Sequence, residues 1–495
     1  STRSNVAACE HFQLCASCAR GLIDVSVLLI STYEMGRQPF GLASPAAFLE
    51  EAGFDVACLD LSIQRLDRDA VERAALVAFY LPMHTAARIA LNVLDKVVVW
   101  NPDAHVCSYG LYALASAKVM QQRSACTILG GEFEEGLVRL AQHICSPGQA
   151  SPNNVDQTLE YQPETNIEEK RQVEPTISLK RQRFRTPSRI NLPALAEYAH
   201  LTTSNGTRRT VGYTETTRGC KHLCRHCPVV PIYGGQFRVI QPEVVLADID
   251  QQVVAGAEHI TFGDPDFLNG PKHAVKIVTT LHKRYPHLTY DVTVKVEHLL
   301  AYPALLSTLR ETGCVFVTSA IESVDNRVLE ILDKGHTRDD FFEVVRLFRE
   351  VGLALQPTFV AFTPWTTLDS YADLLSTLIE LNLVNNVPSI QLAIRLLIPA
   401  GSCLLEVPEV NRLIDEFEPQ SLGYPWRHSD SRIDELQREI QTTIEDAGNS
   451  KDRPEIFGQI CELLGPRLEQ PIALPAVTTI RPRATIPYLS EPWYC

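Results

Sequence analysis

Two stretches of this chain alternate short apolar runs with amphipathic ones. In the first, Val25–Ile30, Val56–Leu61, Leu76–Leu81, Val106–Tyr109 and Ala125–Leu129 are apolar runs of strand length, the pattern of buried parallel strands. Helical periodicity separates most of them, as over Thr85–Trp100 and Phe133–Ile144. Ser44-Pro45 reads as an N-cap and an N1 proline, opening a helix through Ala46, Ala47, Phe48 and Leu49 that stops at Gly53. Strands alternating with helices predict an α/β, doubly wound, Rossmann-like domain over 24–145.

From Ser146 to Arg189 large apolar residues become rare and Pro, Gln, Asn, Glu and Arg take over, so 146–190 is expected to be a linker or an extended wrap. Its basic run Lys180–Arg185 reads as a solvated linker or an interdomain contact rather than a nucleic-acid patch. The alternation then returns. Val211–Glu215, Glu258–Phe262, Tyr290–Val296, Val315–Ala320, Leu353–Val360 and Ile390–Leu396 are strand candidates. Helical patterns lie between them; Phe341, Val344, Val345 and Phe348 form one apolar stripe. Six such units fit a partial (β/α)6 TIM-type barrel over 205–420, with its chemistry at the C-terminal ends of the strands. Over 421–495 a C-terminal extension is expected. Ile433, Leu436, Ile440 and Ile444 give it an amphipathic helix capped by Asp430 and ended by Gly448, before a proline-rich tail.

Composition narrows the chemistry. The 495 residues carry 45 Lys+Arg against 59 Asp+Glu, a formal charge of −14. Such a balance argues against a nucleic-acid backbone or an anionic membrane as partner, since both need clustered cations. No apolar run approaches the ~20 residues of a membrane span, and no signal-peptide core opens the chain. The 14 cysteines are too sparse for a disulfide scaffold, so a reducing, cytoplasmic location is expected and their positions become the question.

Three of them stand together in Cys220-Lys221-His222-Leu223-Cys224-Arg225-His226-Cys227, directly after the first barrel strand. Three thiolates at C-x3-C-x2-C can hold three irons of a 4Fe–4S cluster and leave the fourth open to an outside ligand. The alternative is a zinc site with His222 or His226 as fourth ligand.

The spacing, its place after strand one and the barrel behind it resemble the radical S-adenosylmethionine (SAM) superfamily. That resemblance implies a 4Fe–4S cluster on Cys220, Cys224 and Cys227, with SAM bound at the open iron and cleaved homolytically at a carbon–sulfur bond. It also implies that the backbone at His226 touches the adenine, and that Gly263-Asp264-Pro265-Asp266 receives the SAM amino group. Ala320-Ile321-Glu322-Ser323, with Leu329 and Lys334-Gly335-His336-Thr337, resembles the fourth-strand pattern of SAM enzymes with a cobalamin-type N-terminal domain, and there Glu322 would face ribose or substrate. Lys295 and Glu297 are expected to end the third strand on one side. Arg395, a charge inside an apolar run on the sixth strand, is a candidate for a carboxylate of SAM or substrate, or for a structural ion pair.

Cobalamin domains of this fold carry Asp-x-His-x-x-Gly after their first strand, whereas Ser31–Gly41 here contains no His. Base-off cobalamin binding through that motif is therefore not expected, and His84 reads as structural. Several segments are similar to a smaller group of radical SAM proteins ending in a Cys-Sec-Ala-Glu-Pro or Cys-Cys-Ala-Glu-Pro tail. They are Leu81-Pro82-Met83-His84, Gly130–Gly136, Arg218–His222, Cys227–Gly235 and Glu491–Cys495. One branch of that group serves arsinothricin biosynthesis. Resemblance to it implies transfer of the 3-amino-3-carboxypropyl group of SAM to trivalent arsenic, with methylthioadenosine as the other product. It further implies a small-molecule substrate, arsenite, and an electron donor such as flavodoxin or ferredoxin. Cys495 and Glu297 are candidate substrate residues, and Cys9, Cys15 and Cys18 a weaker thiol set. Cys58, Cys107, Cys126, Cys145 and Cys314 read as core residues, with Cys403 and Cys461 undecided. Two readings stand beside this one: 5′-deoxyadenosyl chemistry on a metabolite or peptide, and a non-catalytic metal-binding protein.

Overall fold

The computed structural model describes residues 26–145, 176–203, 205–448, 452–468 and 488–489. Cys9, Cys15, Cys18 and Cys495 lie outside them, as does the side chain of Cys145.

The first sheet is parallel: β1 (Ser26–Ser31), β2 (Asp55–Asp60), β3 (Ala74–Tyr80), β4 (His105–Tyr109) and β5 (Cys126–Gly131), in the order β2-β1-β3-β4-β5. A short β6 (Ile177–Ser178) extends its edge beside β5. Alternation sends Leu28 and Ile30 into one buried cluster and Val27 and Leu29 into another, so both faces are covered by helices. The helix His84–Trp100 buries Ala87, Leu91 and Leu94 on one stripe.

One helix begins earlier than its capping signal predicts. It runs Phe40–Glu51, with Pro45 inside it. Pro45 has no N–H to offer the Gly41 carbonyl, and the Tyr109 hydroxyl donates to that carbonyl instead, at 2.8 Å. Ser44 caps nothing; its hydroxyl donates to Glu134 Oε1 at 2.6 Å.

The second sheet curls into a half-barrel. Its parallel strands are β8 (Arg208–Thr214), β11 (His259–Phe262), β12 (Thr289–Thr293), β13 (Cys314–Glu322) and β14 (Ala354–Phe359). β7 (His200–Thr202) pairs antiparallel with β8, and β15 (Tyr488–Leu489) with β7. A small hairpin of β9 (Thr217–Gly219) and β10 (Phe237–Val239) sits above β8. The expected sixth strand differs: Ser389–Leu392 is a 3-10 turn, and only a single bridge joins Phe362 to Arg395. Side chains finish that edge. Gln391 Oε1 accepts the Phe359 amide at 2.9 Å, and the Tyr371 hydroxyl donates to the Leu392 carbonyl at 2.8 Å, so backbone groups that a strand would satisfy are already paired.

The wrap over 176–203 is an interdomain contact. Phe184 is buried, Arg185 pairs with Glu51 at 2.5 Å, and Arg189 binds both oxygens of Asp248 at 2.7 and 2.9 Å. The helix Ser431–Ala447 is capped by Asp430 as expected, and it packs Ile433, Leu436 and Ile440 onto the barrel core. Cys58, Cys107, Cys126 and Cys314 are buried, as is Cys461.

Candidate active site

The thiol loop leaves β8 and is shaped before its first cysteine. Asp264, buried after β11, accepts the Thr216 amide at 2.9 Å and the Thr216 and Thr217 hydroxyls at 2.6 Å each. Burial lifts its pKa to about 6, against which those hydrogen bonds work. Gly219 turns the chain at φ 79°, and a Cβ there would stand 2.5 Å from the Gln236 carbonyl and the Tyr233 ring. Asn269 then holds both sides of the turn, donating to the Gly219 carbonyl at 3.1 Å and accepting the Lys221 amide at 3.3 Å.

Cys220, Cys224 and Cys227 line one cavity of about 110 Å³ together with Lys295, Glu322 and Lys334. All three are free thiols. Burial pushes Cys220 up to about 12 and Cys227 to about 11, so without a metal these thiols keep their protons at neutral pH. Cations stand ready for the thiolate state. Lys295 is held protonated against its burial by Cys224 and Glu297. Lys334 is buried, with Nζ 3.3 Å from Glu322 Oε1.

Glu322 sits at a register shift on β13 with φ 68°, a conformation that side-chain-bearing residues rarely adopt. His226 Nε2 lies 3.2 Å from the same Oε1. Burial alone would raise this carboxyl, but Lys334 and His226 outweigh it and hold the pKa at about 2. His226, Glu322 and Lys334 thus meet beside the thiols. Of these Lys334 carried no assignment from sequence; its Lys-Gly-His-Thr context was the available signal.

The other expected residues divide. Asp266 is buried on the cavity wall, its Oδ2 2.6 Å from His298 Nδ1 and 3.4 Å from His222 Nε2. His222 also faces Glu297 at 3.1 Å, and Glu297 pairs with Lys295. Lys295 and Glu297 do not end a strand: β12 stops at Thr293, Lys295 is the N-cap of the helix Val296–Ala301, and Glu297 lies in its first turn. Their pairing therefore comes from a helix start rather than from strand alternation. Gly263 and Asp264 face a neighbouring cavity of about 230 Å³ inside the half-barrel, which shares Pro265 and Thr293 with the thiol cavity. Arg395 is placed elsewhere. It binds Asp434 at 2.6 Å and lies 3.5 Å over the Trp426 ring, because the helix Ser431–Ala447 brings a carboxylate to it first.

The ligand atoms of Cys220, His222 and Asp266 lie within 4.8 Å of one another, so the zinc alternative has a local geometry through His222, while His226 turns to Glu322.

A second network stands behind the loop. Arg218, two residues before Cys220, is buried with Nη1 2.7 Å from Glu134 and 3.6 Å from Glu132, and Nε 2.7 Å from Glu215. The faces of Phe40, Phe133 and Phe184 surround its guanidinium at 5.0–5.6 Å. The Tyr233 hydroxyl adds a bond to Glu132 at 3.1 Å. Gly130–Gly136, Arg218–His222 and Cys227–Gly235, singled out together in the sequence, therefore meet in space.

Comparison with known proteins agrees with this geometry. Residues 214–365 match the radical SAM superfamily. The hopanoid C-3 methylase of Methylococcus capsulatus is 20% identical over 69% of this chain and 64% of its own. The hopanoid C-2 methylase of Rhodopseudomonas palustris is 22% identical over 26% of this chain and 25% of its own. The chain thus spans between a quarter and two-thirds of these curated relatives. Among solved structures, the cobalamin-dependent SAM radical enzyme OxsB superposes with a TM-score of 0.64 at 15% identity, covering 86% of this chain and 67% of that one. The radical SAM methyltransferase TsrM from Kitasatospora setae gives 0.59 at 18% identity, over 78% and 76%. A radical SAM domain works with a 4Fe–4S cluster and SAM. The residues present suit that pair: three unbridged thiols open into one cavity, with two lysines to balance thiolate charge.

Proposed function

With residues 214–365 a radical SAM domain, we propose that the chain is a SAM-cleaving transferase that moves the 3-amino-3-carboxypropyl group of SAM to trivalent arsenic. The observation that carries the reading is the single cavity holding Cys220, Cys224 and Cys227 beside His226, Glu322 and Lys334. When bound, the cluster supplies the electron that opens a carbon–sulfur bond of SAM. An external donor of the flavodoxin or ferredoxin kind would supply two electrons per turnover: one to break the carbon–sulfur bond and release methylthioadenosine, and one, with a proton, to let arsenic lose a hydroxyl as water and stay trivalent in the product.

This chain's residues bind and orient. Cys220, Cys224 and Cys227 would hold the irons as thiolates, giving up their protons on binding. Lys295 and Lys334 offset the thiolate charge, and Glu322, kept ionised, accepts from a hydroxyl or ammonium of SAM. Asp266 offers a further carboxylate on the cavity wall, and Glu297 holds Lys295 and His222 from behind. Hydrophobic residues such as Val294 help exclude water from the cavity.

Transfer as the reaction class is supported by the curated relatives, which are named methylases. Arsenic as acceptor rests on the resemblance of Gly130–Gly136, Arg218–His222 and Cys227–Gly235, which meet around the loop, to the Cys-Sec/Cys-Cys-Ala-Glu-Pro-tail group, one branch of which serves arsinothricin biosynthesis. As(III) is thiophilic, which suits a chain that keeps Cys495 as a candidate thiol beyond the three that would bind iron.

The test is anaerobic incubation with SAM, a reductant and arsenite, followed by mass analysis. Methylthioadenosine with a new carbon–arsenic product is the expected result. 5′-Deoxyadenosine as sole nucleoside would replace group transfer by hydrogen abstraction, and a colourless, zinc-loaded protein would remove SAM chemistry altogether. Alanine at Cys220, Cys224 or Cys227 should abolish SAM cleavage.

A further inference from the structure

The N-terminal sheet has the strand order of folds whose ligands sit beyond the carboxyl ends of the strands, at the switch point between β1 and β3. The OxsB and TsrM structures of similar fold hold cobalamin. In this chain the ends of β1, β3, β4 and β5 on that rim already have occupants.

After β1, the Gly36 carbonyl accepts the Ala199 amide at 2.8 Å, Gln38 donates to the Pro193 carbonyl at 2.8 Å, and the Arg37 guanidinium lies 5.1 Å over the Tyr213 ring. After β3, the ring of His84, which could otherwise ligate a metal, has Nε2 2.5 Å from the Ser421 carbonyl. After β4, Leu111 and Leu114 face Cys227 and Ser402 across a space of about 20 Å³. After β5, Glu132 and Glu134 receive Arg218. The neighbouring cavities of about 110 and 230 Å³ fall below even the ~300–1,000 Å³ usual for drug-sized ligands, and a corrin is larger than those. The residues present do not fit a cobalamin.

We infer that this chain takes no cobalamin and that its N-terminal unit instead grips the thiol loop through Arg218. A buried guanidinium cannot leave its carboxylates without stranding charge on both sides. Arg218 is therefore an anchor, and Gly219, fixed by its close contacts, transmits its position to Cys220. Arg218 and Glu134 act as positioning residues, through the loop. The grip rests on the cluster assignment; the exclusion of cobalamin does not.

The full chain, reconstituted anaerobically with iron and sulfide, is mixed with excess hydroxocobalamin and passed through gel filtration. Cobalamin is expected in the small-molecule volume, and elution with the protein at near one per chain would overturn the exclusion. The grip is read as the rate at which an iron chelator bleaches the cluster, together with the EPR signal of the reduced protein, in Glu134→Gln and in the milder Ser44→Ala. Several-fold faster bleaching and an altered signal are expected at unchanged far-UV circular dichroism. Folded variants with the parental rate and signal would overturn the grip, and Ser44→Ala decides alone if Glu134→Gln does not fold. A parent that takes up no cluster would overturn the proposed function and the grip together, while gel filtration still decides the cobalamin question.

Discussion

Glu322 and Lys334 face each other across 3.3 Å inside the thiol cavity, and Glu322 reaches that position from left-handed backbone. Both are buried, so each is the other's main compensation for lost hydration. Glu322→Gln should destabilise the fold by about 3 kcal/mol, because it strands a buried ammonium. Adding Lys334→Met should restore much of that loss without restoring SAM cleavage. A double-mutant cycle on denaturant midpoints, with SAM turnover alongside, measures both; equal and additive losses would refute the pairing.

The carboxylates predict an optimum in stability. Glu322, about 2 when folded against an ordinary 4.5, contributes stability that is full above 4.5 and lost as pH falls toward 2. Glu132 and Glu215 run the other way: burial raises each to about 7, so the folded protein holds protons that the unfolded chain has released above 4.5. Stability should therefore decline as pH rises from 4.5 through 7. Glu132→Gln should flatten that decline, read as Tm against pH; an unchanged slope would show that Glu132 does not titrate there.

Gly219→Ala should cost at least about 1–3 kcal/mol, since φ 79° and the 2.5 Å approach to a carbonyl leave a methyl no room. Because the same turn places Cys220, iron retained after reconstitution should fall with Tm. Full iron loading in a stable variant would mean that the loop tolerates another path.

Arg395→Met should lower Tm modestly, by about 1 kcal/mol of stability, because the pair with Asp434 is partly solvent-exposed. The Km for SAM should not change. A large rise in Km would return Arg395 to the binding site.

Alternation of apolar runs and helical stripes was enough to read both sheets, since a strand buried on both faces must be continuously apolar wherever it sits. β1 to β5, β8 and β11 to β14 lie within a few residues of that reading, whereas the short β6, β7, β9, β10 and β15 have no counterpart in it. It failed at Ile390–Leu396 because apolar content reports burial and not hydrogen bonding, and there Gln391 and Tyr371 do the work of a neighbouring strand. The N-cap signal at Ser44 failed similarly: a hydroxyl from Tyr109, remote in sequence, satisfies the carbonyl that Pro45 cannot.

At the site, the cysteine spacing was legible because all three thiols stand on one short loop. The partners of that loop were not. His226, Glu322 and Lys334 come from a loop, a strand end and a turn, and only the curl of the half-barrel makes them neighbours. Likewise Arg218 reads as one more cation until folding closes Glu132, Glu134 and Glu215 around it. The layered α/β architecture and the thiol motif could be read from residue order, because both are local patterns. Tertiary structure alone decided which charges share a low-dielectric cavity, because burial and distance, the quantities that set their energies, belong to the folded chain.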